Sequence, residues 1–321
     1  MISRRIAAVV VLLAVRAHAA PATPATPVIA ALAPGDPDAR EAVALGPNGQ
    51  TYEPDGKGAW IRHHAGGLAD DVTRATRAGA LVIAAVDGGP PYAVRVGRPG
   101  ATTGEWNLVV LGLHAKAVLG RGPRATAAFG LQIFGLDTGK PVRLADAPGP
   151  VTMLAASAKG VVIETDKGLA KLEGKRWKPI ANVPSQVIAL LDDRWALVEH
   201  GLLDLRTQNT TAWPAGFKVA SVVAVDNNLV IAAGTHGASA ELVTLKAGKL
   251  DRAGIVIAAQ SPAGPAIGAG IVAIVGDRAG RVVVATHDAL WVRDQAGTWT
   301  AGAVRDELPA DRPGSPPAES K

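Results

Sequence analysis

The stretch "IVAIVGDRAGRVVVATHDALWVRDQAGTW", Ile271 to Trp299, decides the fold. It divides into "IVAIVGD", "RVVVATH" and "ALWVRD", and the chain continues past Trp299 as a fourth run, "TWTAG". Each run is rich in Val, Ile, Ala or Thr and stops at Asp, Gly or His. Short β-branched runs bounded by turn residues signal strands. No long stretch has the 3.6-residue period of a helix.

The same pattern recurs upstream. "VTMLAAS", "GVVIETD", "GLAKLE" and "RWKPI" follow one another from Val151 to Ile180. In both places a Trp or another apolar residue follows a polar, Gly-bearing turn. Used as a marker, this feature falls at Trp60, Trp106, Val142, Trp177, Trp213, Leu250 and Trp299. The spacings are 46, 36, 35, 36, 37 and 49 residues. A self-similar period in this range points to a repeat architecture. Four-stranded antiparallel units repeated radially make a β-propeller. The expected fold is therefore all-β, a propeller of seven blades, with six or eight as alternatives. The first unit, around Tyr52 and Trp60, is the least regular.

Residues 271–299 resemble the repeats of two-component-regulator propellers, a WD40/YVTN-like class. The match rests on Asp277, Gly280, Thr286, Leu290 and Trp299, and on "VVIETDKGLAKLEGKRW" ending at Trp177. It covers roughly residues 151–303. The resemblance implies an extracytoplasmic sensor-type propeller, here standing alone, without the membrane helix and kinase that accompany such repeats.

The N-terminus reads as an export signal. Arg4 and Arg5 precede the apolar run "IAAVVVLLAV", and "AHA" at 17–19 is a small-x-small cleavage site. The expected organisation is a signal peptide at 1–19, a flexible linker at 20–27, a propeller at 28–306 and a Pro-rich tail at 307–321. No Cys is present, so a lipid-anchoring Cys, disulfides and thiolate chemistry are excluded. The expected location is periplasmic or extracellular, with no integral membrane segment after processing. Loss of residues 1–19 removes three of the 33 basic residues, leaving 30 against 28 acidic ones, a formal charge of +2. With no Lys/Arg block, nucleic acid is not an expected partner. A monomer is expected.

With strands lettered A to D from the axis outward, the B–C and D–A connections share one face. His63, His64, His114, His200, His236 and His287 all map there, as does Tyr92. His200, His236 and His287 end the B strands of three successive blades, and Asp166 is the equivalent in the blade before them. Imidazoles converging with a carboxylate could bind Zn²⁺ or another divalent transition metal. Glu199 and Asp288 flank two of these positions as supporting carboxylates. There is no Gly-x-Ser-x-Gly nucleophile elbow, and no catalytic residue is assigned. The leading expectation is a binding module that presents this His-bearing face and the central funnel to a protein or small-molecule ligand. The alternative is a metal-dependent lyase or hydrolase whose His cluster holds the ion.

Overall fold

The computed structural model describes residues 27–35, 38–63, 68, 71–86, 89–95, 106–109, 117–183, 186–237, 239–256 and 270–306. The expected signal peptide, residues 20–26 of the linker, the tail at 307–321, His64 and His114 lie outside the described residues. Strands dominate, and the one helical element described is the 3-10 turn Ala39–Glu41. The strands run in consecutive antiparallel meanders of four. These span residues 31–63, 72–108, 117–146, 151–179, 187–212, 217–256 and 271–306, and are called here the first to the last group.

Five groups stand as separate four-stranded sheets. The first and last instead merge into one eight-stranded sheet, a departure from the seven separate blades expected. The reason lies in the long fourth strand of the last group, Trp299–Asp306. Its residues 299–302 pair antiparallel with its own third strand, Leu290–Arg293. Its residues 303–306 run on beside Ala59–Arg62 of the first group, in parallel. This seam carries a second layer of contacts. Trp60 is buried against Gly302, Arg62 pairs with Asp306 at 2.6 Å, and Arg305 pairs with Asp55.

Packing explains why the second strands read as continuous apolar runs. Side chains alternate between the two faces of a strand, and here each face meets a different neighbouring group. In Val282–Thr286, Val283 packs with the first group, around Tyr52 and Trp60, while Val282 and Val284 pack with Ile231 and Leu242 of the sixth. The same division recurs around the molecule. Each described core cluster is shared by two successive groups, and one joins the last to the first, which closes the ring.

The turns are built by local chemistry. Asp277 Oδ1 accepts from Ala279 N (2.9 Å) and Arg281 N (3.1 Å). Asp226 and Asp192 close the corresponding turns of the sixth and fifth groups in the same way. Asx turns of this kind fix the chain reversal without help from the core. At the C–D turns, Asp55 and Asp294 play this part, and Gly58 and Gly297 take φ of +96° and +94°. Two Trp side chains at or beside outer strands bridge to another group: Trp177 Nε1 donates to Asp146 O at 2.6 Å and Trp106 Nε1 to Gly49 O at 2.8 Å.

Candidate functional site

Parallel contacts between neighbouring groups (Arg121 with Ala155, and 303–306 with 59–62) show that these neighbours run in the same sense. The A–B turns of the fourth, fifth, sixth and last groups touch one another through Ser157 with Asp193, Asp193 with Asn227, and Asp226 with Arg278, so the B–C turns of these groups share the opposite face. Asp166, His200 and His287 lie in these turns, and His236 ends the strand Leu229–His236 that leads into one. His63 ends the outer strand of the first group, and Tyr92 lies half-buried near the start of the third strand of the second.

The side chains on this face have separate neighbours. His200 is exposed, with its Nε2 3.7 Å from Glu199 Oε2. His236 Nδ1 lies 3.4 Å from Glu241 Oε2, and its ring rests over Gly216, where a Cβ would come within 3.1 Å of it. His63 Nε2 is 3.8 Å from Glu53 Oε1. His287 is exposed, and Asp288 accepts from Thr286 Oγ1 at 2.9 Å as part of its own turn. Asp166 sits against Gly149. Among the described residues, no group of three or more His, Cys, Asp or Glu is placed to hold a metal ion. Equivalent positions in the repeat thus bring His200, His236, His287 and Asp166 to one face without gathering them around a shared point. Beside His200, a groove of about 470 Å³ is lined by Met153, Ile188, Val198, Glu199 and Thr210, with Ile188 exposed.

A second cavity, of about 150 Å³, lies on the ring axis. Its wall comes from the inner strands of the first, second, sixth and last groups, together with Gly120–Gly122 and Leu191. Arg74 and Arg121 line it. Burial and the charge of Arg121 push the Arg74 guanidinium down to about 10, and burial also lowers Arg121. The face opposite the histidines holds a buried polar network. There Asp193 receives Lys171 Nζ (2.7 Å), Asn227 Nδ2 (2.6 Å) and the Ser157 hydroxyl. Arg194 pairs with Asp204 at 2.7 Å and stacks over Trp195 at 4.6 Å. Ser157, Asp193 and Asn227 belong to the A–B turns of three successive groups, so this network ties blades together. Sequence reasoning passed over both features. The readable signals were the cation in "VTRATRA" and the Gly-flanked Arg of "LGRG".

No family model and no curated protein matches the sequence. Solved structures do. The extracellular domain of the hybrid two-component system BT4673 from B. thetaiotaomicron superposes with a TM-score of 0.53 at 13% identity, covering 83% of this chain. This chain spans 38% of that one, well under two thirds of its length. YCF48 from Cyanidioschyzon merolae gives 0.52 at 17% identity, with 84% of this chain and 95% of that one covered. The WD40 β-propeller domain of Doa1 gives 0.51 at 13%, covering 84% and 94%. The chain is a β-propeller. The resemblance to two-component-regulator propellers therefore holds at the level of fold. No helix among the described residues is long and apolar enough to cross a membrane.

Proposed function

We propose that this propeller is an exported binding module of seven blades, with the merged eight-stranded sheet counted as its first and last blades. The observation that carries the reading is the cavity on the axis, walled by mainly apolar inner strands of separate groups, with Thr73, Arg74, Thr76, Arg121 and Ser221 among its lining residues. Concave sites where several elements converge, with a few polar groups among apolar ones, are the usual form of ligand sites. The groove beside His200 extends the same reading to the B–C face, with exposed Ile188 and Thr210 offering an apolar and a polar contact to a protein partner. Export rests on residues 1–19, and a mature chain beginning at Ala20 is its signature.

The test is capture from an extracytoplasmic extract by immobilised mature protein, compared with a variant carrying His200→Ala, His236→Ala and His287→Ala. A species retained by the native chain and lost from the variant is the expected result. Capture indifferent to all three substitutions removes the histidine face from the function.

A further inference from the structure

Arg74 stands just past a bulge in the inner strand Val72–Ala78 of the second group. The same bulge recurs at the same register in the fourth, fifth, sixth and last groups, where the residue after it is Met153, Ala189, Ser221 and Ala273. A bulge re-aims the side chains beside it. Of these five groups, the second alone places a charge there.

Arg121 reaches the same cavity by a different construction. Its backbone is fastened to the inner strand of the fourth group: Arg121 N donates to Leu154 O, and Arg121 O accepts from Ala156 N, both at 2.9 Å. The flanking residues must be glycine. A Cβ on Gly120 would lie 2.1 Å from Thr126 Oγ1, and one on Gly122, at φ +101°, would lie 2.3 Å from Ala156 O. The chain is thus held tightly between neighbours at the point where it delivers a guanidinium to the axis.

Arg74 Nη1 donates to Leu119 O at 2.7 Å. Among the described residues, no carboxylate forms an ion pair with either arginine, and the Arg121 side chain makes no hydrogen bond. Two half-buried cations facing one cavity with no carboxylate partner repel each other, and a counter-charge between them relieves that cost. Guanidinium forks match the oxygens of phosphate, and hydroxyls on Thr73, Thr76 and Ser221 in the same wall add further hydrogen-bonding groups. The cavity, of about 150 Å³, has room for such an ion.

We propose that Arg74 and Arg121 form a phosphate-binding site on the propeller axis, for the free ion or for a phosphate group carried by a small ligand. This rests on the reading of the axis as a binding cavity and not on the histidine face.

The test is calorimetric titration of the mature protein, in phosphate- and sulfate-free buffer, with inorganic phosphate, glycerol phosphate and succinate in turn. Saturable phosphate binding is expected, weakened about tenfold or more by Arg74→Met or Arg121→Gln and lost in the double variant. Tighter binding of inorganic phosphate assigns the free ion, and tighter binding of the monoester assigns a phosphorylated ligand. The Arg121→Gln variant should melt no lower than the native chain in the same buffer, because it removes a cation that no carboxylate pairs, so loss of binding is separable from loss of fold. Absence of phosphate binding to the folded native protein, binding unchanged in the double variant, or succinate preferred over phosphate overturns the site. Histidine-dependent capture would survive that outcome, leaving the broader binding role in place.

Discussion

Asp192 and Asp193 sit side by side in the A–B turn of the fifth group, at 0% and 1% exposure, yet their surroundings push them in opposite directions. Burial raises Asp192 to about 6 against two backbone N–H bonds, and the charge of Asp193 adds to the rise. Burial also acts on Asp193, but hydrogen bonds from Lys171, Ser157 and Asn227 outweigh it and hold that carboxyl below its usual range. The consequences for stability have opposite signs. Asp192 binds a proton in the folded chain at pH values where the unfolded chain has lost it. Its contribution is therefore full below about 4 and is lost as pH rises through about 6. Asp193 contributes above its ordinary value, and that contribution is lost in a lower window, as pH falls through its depressed value. Asp192→Asn should remove the decline in stability between about pH 4 and 6, read by urea unfolding across that range. An unchanged decline would assign it to another group. These two carboxylates read in the sequence as an ordinary polar turn. Their burial depends on Lys171, Asn227 and Ser157, which come from other groups, and no local pattern reveals that.

At the scale of the element, the C–D turns were the most legible feature. Asx geometry and left-handed glycines act within a few residues, so most outer strands start within a residue of their marker: Trp60 is the second residue of Ala59–His63, Val142 opens Val142–Asp146, and Trp299 opens Trp299–Asp306, but in the fifth group Trp213 follows the end of Thr210–Ala212 instead of opening it. The merging of the first and last groups was not legible. It depends on how far Trp299–Asp306 overruns its own partner and on which distant edge waits beside it, and both are long-range facts. The seam also makes a demand at one position. A Cβ on Gly302 would lie 2.4 Å from Trp60 Nε1. Gly302→Ala should therefore destabilise the protein by about 1–3 kcal/mol through overpacking, measured as a fall in ΔG from urea unfolding with the slope unchanged. Stability equal to that of the native chain would show that Trp60 has room to move and that the seam is loosely held.

For the whole molecule, the period of the sequence was enough to expect a ring of four-stranded sheets, because each second strand must feed two neighbours with alternate side chains. The repeat register accounts for Asp166, His200 and His287 lying in B–C turns, while His236 and His63 end strands. It did not say where their side chains point, and in the structure they form no metal-holding group among the described residues. The proposed chemistry at the centre comes instead from Arg74, at a bulge position where other inner strands carry Met153, Ala189, Ser221 or Ala273, and from Arg121, which follows the inner strand Ala117–Leu119. The most direct test of this account is a crystal structure of the mature protein grown with phosphate. Seven four-stranded blades are expected around one axis, the last closed on the first beside Trp60, with a phosphate between the guanidinium groups of Arg74 and Arg121. A different blade count, or two arginines turned from the axis and paired with carboxylates of the chain, would contradict it.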